Sequence, residues 1–220
     1  METEKVLIGG TEFTVLPVTV RKHGLWHRIN LGAWEAHTIN FVKNNTGKVF
    51  FDIGAWIGPI TLLASTRFEK VIAFEPSKEA AKALRKNIKL NGIKNVTVVN
   101  KAMHNYLGEA DFGYNGNLGF ESSRSSLNFR SEESYKVKTI TLKEAIKRYG
   151  KPDFIKIDIE GGEEYVIDSI IEQVPKCLSL SLHPKLINDF EVFIVKLAKF
   201  TKSPLYKAER NGKDYHFIRV

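Results

Sequence analysis

A glycine-containing turn follows a strongly apolar stretch, and an acid stands shortly before its first glycine. Residues 49–58 read Val-Phe-Phe-Asp-Ile-Gly-Ala-Trp-Ile-Gly. Gly54 would let the backbone approach a ligand closely, and Gly58 would let a helix start near the preceding strand. The dinucleotide fingerprint Gly-x-Gly-x-x-Gly is absent, because Trp56 stands where its second glycine belongs. Since Asp52 can accept a hydrogen bond from a cationic amine, the turn suits a nucleoside that carries an amino acid better than a pyrophosphate.

A second acid follows the turn by about twenty residues, at the end of the next apolar stretch. Residues 73–76 read Ala-Phe-Glu-Pro, which places Glu75 where an acid that follows a nucleotide loop can chelate both hydroxyls of a ribose. A carboxylate offers two acceptors to the two hydroxyl donors. The two motifs together favour a nucleoside site over a tight turn with incidental glycines or a surface glutamate at the start of a loop.

The third apolar stretch ends in Val-Asn-Lys-Ala at residues 99–102. In a nucleotide-binding sheet this segment flanks the adenine, so Asn100 or the neighbouring backbone could read the edge of the base. The alternative is ordinary turn chemistry, for which an asparagine at a strand end is common.

Acids crowd the end of a fourth apolar stretch, in Ile-Lys-Ile-Asp-Ile-Glu-Gly-Gly-Glu at residues 155–163. Glu163 and Glu164 are expected at a helix start, because acids complement the dipole at a helix N-terminus. Asp158 and Glu160 are the better candidates for chemistry, since a carboxylate there could take a hydroxyl proton or bind the acceptor. Paired acids could also ligate a divalent metal, and the sequence leaves the metal open.

A histidine ends the fifth apolar stretch, in Leu-Ser-Leu-His-Pro at residues 180–184. His183 would project near the same cleft and could act as a base near neutral pH, although a lone histidine is usually structural or exposed. The predicted catalytic residues are therefore Asp158, Glu160 and His183.

Each of these positions follows a short stretch rich in valine, isoleucine, leucine or phenylalanine, which predicts a strand. Several stretches are apolar on both faces, as buried parallel strands are. Amphipathic stretches between them predict helices, and the alternation indicates an α/β fold with a doubly wound, mostly parallel sheet. In such sheets ligands bind at the carboxyl ends of the strands, where the strand order reverses. The predicted strands are Val49–Ile53, Val71–Glu75, Val96–Asn100, Phe154–Asp158 and Leu178–Leu182.

Local signals predict where helices begin. Ser77 can cap a helix that runs to about Leu90, and Thr141 has the spacing of a capping box with Glu144. Further amphipathic helices are predicted over residues 161–171 and 186–200.

The chain is predicted to divide into an extension and one core domain. Residues 1–47 would form the extension, a β-hairpin and a helix that pack on the core domain of residues 48–220. A closing antiparallel hairpin ends the core domain, and residues 108–136 form either a substrate lid or a disordered surface loop. The segments concerned are Lys5–Ile8 and Glu12–Leu16 for the first hairpin, 34–44 for the helix, Leu205–Lys207 and Tyr215–Val220 for the last hairpin, and Tyr114, Phe120 and Ser122–Ser126 within the lid.

The composition is that of an ordinary folded protein, with 43% hydrophobic and 26% charged residues among 220, enough for one α/β domain. No apolar run reaches the roughly 18 residues of a membrane helix, and no apolar signal segment follows Met1. The single Cys177 is expected to be a small buried hydrophobe rather than a nucleophile. These features predict a cytoplasmic protein without a membrane partner. Basic residues exceed acids by eight but are dispersed, so charge alone does not argue for RNA.

Several of the segments resemble, in order and spacing, the FkbM-type S-adenosylmethionine-dependent methyltransferases, a class I methyltransferase family. The similarity spans about residues 34 to 183, and Lys-Ile-Asp-x-Glu-Gly-x-Glu at 156–163 is its most specific element. The resemblance implies a Rossmann-like domain that methylates oxygen, usually on a sugar or a specialised metabolite. The matching segments are 51–58, 73–76, 91–92, 100–102, 137–142 and 155–163.

The resemblance also implies roles for individual residues. The cofactor would be S-adenosylmethionine, with its ribose on Glu75 and its adenine near residues 100–102. Asp158 and Glu160 would fall at the methyl-transfer end, and Glu35 would reach the methionine part of the cofactor. The complete predicted cofactor set is Glu35, Asp52, Gly54, Ala55, Trp56, Gly58, Glu75, Pro76, Asn100, Lys101, Ala102 and Asp158.

Three residues depart from the family's pattern and leave the acceptor open. Trp56 replaces a residue that is often asparagine, Lys143 stands where an acid often follows Thr-Leu, and Ser181 replaces an acid two positions before the histidine. An RNA methyltransferase is the first alternative, because the positive charge and the basic segment 82–92 suit one. Against it, Asp-Ile-Glu-Gly at 158–161 is a poor surface for stacking a flipped base. A non-catalytic nucleoside-binding module is the second alternative, whereas the missing fingerprint disfavours a nicotinamide enzyme.

Overall fold

Strands and helices alternate along most of the chain, as the apolar and amphipathic stretches predict. The computed structural model describes residues 2–18, 24–114, 125–127 and 134–220. The strands are β1 (Glu4–Ile8), β2 (Thr11–Val15), β3 (Gly47–Ile53), β4 (Phe68–Phe74), β5 (Val96–Val99), β6 (Ala102–Met103), β7 (Glu109–Tyr114), β8 (Ser125–Ser126), β9 (Ser134–Ile140), β10 (Phe154–Ile157), β11 (Cys177–Ser181), β12 (Tyr206–Asn211) and β13 (Asp214–Arg219). The α-helices are α1 (Leu25–Asn30), α2 (Ala36–Lys43), α3 (Pro59–Ser65), α4 (Lys78–Leu90), α5 (Leu142–Tyr149), α6 (Ile167–Gln173) and α7 (Phe190–Thr201).

Seven strands form the central sheet, in the order β12-β13-β11-β10-β3-β4-β5. The five from β11 to β5 run parallel, and β12 and β13 form an antiparallel hairpin that extends the edge beside β11. This confirms the predicted doubly wound, mostly parallel sheet with a C-terminal antiparallel hairpin. The chain leaves β3 toward β4 on one side and reaches β10 on the other, so the strand order reverses at β3 and opens a crevice at its carboxyl end.

Adjacent residues of β3 point to opposite faces of the sheet, and each face has its own core. Phe50 and Phe51 are both fully buried. Phe50 belongs to the core that includes residues of α2, α3 and α4, whereas Phe51 belongs to the core that includes residues of α5, α6 and α7. A strand that is covered by helices on both faces is apolar over most of its length, and the run of residues 49–51 followed by Ile53 in β3 shows this pattern, with Asp52 as the exception.

The predicted helix starts of α4 and α5 are confirmed, because Ser77 Oγ accepts from Ala80 N and Thr141 Oγ1 accepts from Glu144 N. The helix predicted from residue 161 instead begins as a 3₁₀ turn over Gly162–Tyr165 before α6. The helix predicted from residue 186 begins later, at α7, where Asp189 accepts from Val192 N. No helix within the described ranges is long and apolar enough to cross a bilayer.

The N-terminal hairpin of β1 and β2 is bonded to α4 through asparagine side chains. Leu16 N donates to Asn87 Oδ1 at 2.8 Å, and Thr14 N donates to Asn91 Oδ1 at 2.9 Å. The helix α1, which the sequence did not predict, buries Trp26, and its indole donates to Leu16 O at 2.8 Å. These contacts tie the segment that precedes the central sheet to the helix that follows β4.

A smaller sheet lies after β5, in the order β6-β9-β7-β8. Residues 108–136, the candidate lid, therefore include β7, which pairs antiparallel with β9. Phe120 and Ser122, with the rest of residues 115–124 and 128–133, lie outside the described residues.

Candidate active site

A cavity of about 580 Å³ lies at the carboxyl ends of β3, β4 and β10. Residues 32–37 and the turn between β12 and β13 form part of its wall. Of the predicted site residues, the cavity is lined by Glu35, Gly54, Ala55, Trp56, Glu75, Pro76, Ala102, Asp158 and Glu160. Asp52, Gly58, Asn100, Lys101 and His183 do not line it.

The turn after β3 can be built only with glycine at two positions. Gly54 has φ +82°, and a Cβ there would lie 1.9 Å from Asp158 O. Gly58 has φ +98°, and a Cβ there would lie 2.3 Å from a methyl of Leu84. The turn is held to the next strand, because the amides of Gly54 and Ala55 both donate to Phe74 O, at 3.0 and 3.1 Å. Glycine therefore allows β3, β4 and the loop after β10 to meet closely.

Glu75 is buried at the end of β4 with both carboxylate oxygens on backbone amides. Oε2 accepts from Trp56 N and Oε1 accepts from Ser77 N, both at 2.8 Å. Burial raises the pKa of Glu75 to about 7, although the two amides act to lower it. Trp56 has φ +49°, so its left-handed backbone belongs to the turn that delivers this amide. Each oxygen of this buried carboxylate keeps a lone pair that is not used by the two amides. Glu75 can therefore accept hydrogen bonds from hydroxyl donors in the cavity.

Asn100 fixes the loop that carries Glu75 rather than facing the cavity. Its Nδ2 donates to Glu75 O at 2.8 Å and to Pro76 O at 2.9 Å. The side of the cavity that was expected to face adenine is formed by Ala102 together with Met103, which the sequence analysis did not single out. Phe74, Phe112 and Leu127 also line the cavity and supply apolar surface.

Asp52 is fully buried below the cavity and holds a lysine that the sequence analysis missed. Its Oδ2 accepts from Thr61 Oγ1 at 2.6 Å, and its Oδ1 lies 3.3 Å from Lys156 Nζ. Lys156 also donates to Gly54 O at 2.9 Å and reaches the cavity wall. The available signal was a lysine inside the otherwise apolar strand β10, because a buried charge needs a partner. The amine that Asp52 binds in this structure is the amine of Lys156.

Burial and neighbouring charges act in opposite directions on the pKa values of Lys156 and Asp158. Burial acts to lower the pKa of Lys156, but Asp52, Asp158 and Glu35 raise it above its usual range. Burial, then the charge of Asp158, raises the pKa of Glu35 well above its usual value. Burial acts to raise the pKa of Asp158, but Lys156, Lys213 and His183 lower it. Glu35 therefore holds a proton more tightly than Asp158 does.

Three carboxylates surround the His183 ring. Its Nδ1 lies 3.0 Å from Glu163 Oε1, and its Nε2 lies 3.5 Å from Asp158 Oδ1 and 3.4 Å from Glu160 Oε2. Burial acts to lower the pKa of His183, but the carboxylates raise it, with the Glu163 hydrogen bond first among them. Lys213 Nζ lies 3.1 Å from Nε2 of the same ring. We refer to Asp158, Glu160, Glu163 and His183 as the carboxylate–histidine cluster.

Glu163 has a more specific environment than the helix-start role that the sequence suggested. Its side chain is fully buried, and Oε1 also accepts from Ile159 N at 3.3 Å. Its contact with His183 depends on the register of β10 against β11, which the sequence alone does not give.

A buried carboxylate on β13 lies opposite Ser181. Ser181 and Asp214 are partners in the antiparallel pairing of β11 with β13, and Ser181 Oγ donates to Asp214 Oδ1 at 2.6 Å. Asp214 lines the cavity, so an acid is present beside the departure from the family pattern at Ser181.

Backbone strain is concentrated at the cavity. Four non-glycine residues among those described have positive φ, and Glu35, Trp56 and Glu160 line the cavity. Left-handed backbone at such residues costs free energy and persists where surrounding contacts impose it. Each of the three places a functional group or an amide at the cavity wall.

The sheet order, the crevice at the end of β3 and the buried acid at the end of β4 define the class: a Rossmann-like methyltransferase fold. The methyltransferase FkbM domain model matches residues 52–196, which is well over half of the chain. The chain therefore belongs to the FkbM methyltransferase family, and it is a methyltransferase. A comparison with curated protein sequences finds no significant match.

Solved structures with this fold share little sequence with the chain. A T. thermophilus 16S rRNA methyltransferase (RsmC) in complex with AdoMet and guanosine is 12% identical with a TM-score of 0.54, over 99% of this chain and 50% of that one. SMU.1697c from Streptococcus mutans, described as a candidate methyltransferase in complex with SAH, is 12% identical with a TM-score of 0.50, over 84% of this chain and 97% of that one. At this identity the likeness concerns the fold.

Proposed function

We propose that the protein transfers a methyl group from S-adenosylmethionine to a hydroxyl group of a small molecule. The observation that carries the proposal is one cavity whose wall contains the buried carboxylate of Glu75 together with Asp158 and Glu160. The family supports methyl transfer, and the cavity supports the choice of cofactor and acceptor.

The residues present fit S-adenosylmethionine. Glu75 is buried with oxygen lone pairs available, so it would accept from the ribose hydroxyls. Ala102 and Met103 would pack against the adenine, and Glu35 beside Lys156 would face the charged methionine part. When bound, the cofactor supplies a methyl group on a positively charged sulfur, which an acceptor oxygen can displace in line.

The chain's own contribution is to orient the acceptor and to accept its proton. Asp158 and Glu160 line the cavity, so their oxygens would accept from an acceptor hydroxyl. Holding the acceptor in a desolvated cavity supplies much of the acceleration that a methyl transfer needs.

Carboxylates at the cavity support an uncharged acceptor over a nucleic acid. Three basic residues, Arg28, Lys156 and Lys213, also line the cavity, but Lys156 is matched to Asp52 and Lys213 contacts His183. Asp158, Glu160 and Asp214 would repel the phosphates of an RNA, which proteins normally bind with lysine and arginine. A sugar or another polyol offers hydroxyl donors to the same carboxylates.

Calorimetry tests the cofactor. We expect saturable binding of S-adenosylhomocysteine to the wild type, and Glu75→Ala should weaken it by roughly tenfold or more, because charged hydrogen bonds are lost. The matched control is Glu79→Ala, an exposed acid in the first turn of α4. Wild-type protein that binds neither S-adenosylmethionine nor S-adenosylhomocysteine would contradict the proposal.

Asp158→Asn tests the acceptor side. The variant should keep S-adenosylhomocysteine binding and lose turnover on a panel of sugars and polyols, measured by transfer of a labelled methyl group. Unchanged turnover would reject a chemical role for Asp158. Transfer to RNA but to none of the polyols would reject the proposed acceptor class.

A further inference from the structure

Buried oxygens without a hydrogen-bond donor are concentrated around the carboxylate–histidine cluster. Among the described residues, seven buried side-chain nitrogen or oxygen atoms have no hydrogen-bond partner, and three of these are Glu35 Oε2, Asp158 Oδ1 and Glu163 Oε2. A proton on Glu35 can satisfy the contact between Glu35 and Asp158, and a positive ion on Asp158 Oδ1 would replace that proton. Buried polar atoms are almost always satisfied, so Asp158 Oδ1 indicates a place for a proton or a positive ion at the cluster.

The missing partner should be positive. Asp158, Glu160 and Glu163 bring three carboxylates to the cluster, while Lys156 is already matched to Asp52. The only ammonium recorded against the ring in the described part of the chain is Lys213, at 3.1 Å from His183 Nε2. Even a protonated His183 together with Lys213 supplies two positive charges against three carboxylates, and an excess of negative charge is costly in a partly buried site.

The geometry of the cluster suits a metal ion. One atom each from Asp158, Glu160 and His183 lies within 4.8 Å of the other two. The Nε2 of His183 is 3.5 Å from Asp158 Oδ1 and 3.4 Å from Glu160 Oε2. Ligand atoms around a tetrahedral zinc ion with bonds of about 2.0–2.1 Å are separated by roughly 3.3–3.4 Å. The two distances from His183 Nε2 therefore match this separation, and the two carboxylate oxygens lie within 4.8 Å of each other.

Glu163 prepares the histidine for this role. Because its carboxylate accepts from Nδ1, the lone pair of His183 stays on Nε2, the nitrogen that faces Asp158 and Glu160. A carboxylate behind a metal-binding histidine is the usual way in which proteins fix the ring and its tautomer.

We propose that Asp158, Glu160 and His183 bind one divalent transition metal ion, such as Zn²⁺ or Mn²⁺, with Glu163 as the positioning residue behind His183. One imidazole and two carboxylates form a donor set that such ions accept. Because Asp158 and Glu160 line the cavity, an open coordination position would face the acceptor hydroxyl and polarise its oxygen. This use of the ion rests on the proposed function, whereas the binding site does not.

Lys213 is the competitor for the site. It is an exposed residue on the turn between β12 and β13, and only its amine reaches the ring. Its side chain can therefore turn toward solvent when an ion binds. Replacing it with methionine removes the competing charge and should increase the affinity for the ion.

Metal binding is measured directly, on protein stripped with a chelator and titrated with Mn²⁺ while free Mn²⁺ is followed by electron paramagnetic resonance. We expect one saturable site per chain in the wild type and tighter binding in Lys213→Met. Asp158→Asn and His183→Ala should abolish the site, and Glu163→Gln should weaken it by roughly 10- to 100-fold. Glu164→Gln is the matched control, because Glu164 is the next acid of the same 3₁₀ turn and binds Asn188 instead.

Absence of saturable Mn²⁺ binding in the wild type, confirmed by a Zn²⁺ titration, would overturn the proposal. Unchanged binding in both Asp158→Asn and His183→Ala would also overturn it, because the ion would then lie elsewhere. S-adenosylhomocysteine binding is measured on the same samples. Loss of S-adenosylhomocysteine binding in the wild type would count against the proposed function, and its loss in one variant would indicate that this variant is misfolded. Neither result depends on whether the metal binds.

Discussion

Glu75 should make ligand binding and fold stability respond to pH in opposite directions. Burial raises its pKa from 4.5 to about 7 in the ligand-free protein. The folded protein therefore holds this proton more tightly than the unfolded chain does, and the resulting stability is lost as the pH rises toward 7. Ribose binding has the opposite preference, because the ionised carboxylate is the better acceptor for two hydroxyl donors.

The magnitudes follow from the two pKa values. Each pKa unit corresponds to about 1.4 kcal/mol, so Glu75 should remove about 2 kcal/mol of unfolding free energy between about pH 5.5 and about pH 8. At about pH 5.5 a group with this pKa is ionised in roughly one molecule in thirty, so the affinity for S-adenosylhomocysteine should be roughly thirtyfold lower than at about pH 8.

The assay is a pair of measurements on wild type and Glu75→Gln at both pH values. Urea denaturation gives the unfolding free energy, and calorimetry gives the affinity for S-adenosylhomocysteine. Glu75→Gln should lack the Glu75 share of the stability change, so the difference between the two proteins isolates this residue from other titrating groups. A wild-type affinity that does not rise with pH, or a stability difference with the opposite sign, would refute the reasoning.

Three further substitutions test the architecture of the site by urea denaturation and calorimetry. Lys156→Met should destabilise the fold by about 3–5 kcal/mol because it leaves the buried Asp52 carboxylate without its charged partner. Adding Asp52→Asn should restore part of the lost stability. Gly54→Ala should cost more than about 3 kcal/mol because its Cβ would meet a backbone oxygen, whereas Gly92→Ala, with φ +62° and nothing within 4 Å, should cost about 1 kcal/mol. Asn100→Ala should weaken S-adenosylhomocysteine binding by roughly tenfold, because it frees the loop that carries Glu75. Each expectation has its own contradicting result. Lys156→Met would contradict it by being as stable as wild type, and the two glycine substitutions by lowering the unfolding free energy equally. Asn100→Ala would contradict it by binding S-adenosylhomocysteine as tightly as wild type.

The sequence predicted the position of the site because the signals are local. Buried parallel strands are readable from apolar stretches, and their carboxyl ends must meet at one edge of the sheet. Gly54, Glu75 and Asp158 each follow such a stretch, so they could be placed at one cavity before any coordinates were known. The chemistry of the turn was also readable, since two glycines there allow close approach of neighbouring chain segments.

The partners of the buried polar side chains could not be predicted, because they depend on the register between strands that are distant in sequence. Lys156 meets Asp52 across β10 and β3, and Ser181 meets Asp214 across β11 and β13. For the same reason Asp52 was assigned to the cofactor, although the amine beside it belongs to Lys156. The sequence left open whether Asn100, the backbone beside it or neither contacts adenine, and only the fold shows that the Asn100 amide binds the loop of Glu75.

The apolar packing of the central sheet offsets the free-energy cost of strained backbone and buried charge at the cavity. Toward the amino-terminal ends of the strands, Phe50 and Phe154 stack at 4.9 Å, and Phe68 meets Phe154 edge-on at 5.6 Å. Aromatic packing of this kind supplies favourable free energy on the strands β3 and β10, whose ends carry Asp52 and Lys156. Unfavourable terms lie at or just beyond the carboxyl ends of β3, β4 and β10, where Asp52 and Glu75 are buried and Trp56 and Glu160 have left-handed backbone. A rigid apolar sheet can therefore hold the carboxyl groups of Glu75 and Asp158 in place before any ligand binds, which is the preorganisation that a transfer reaction requires.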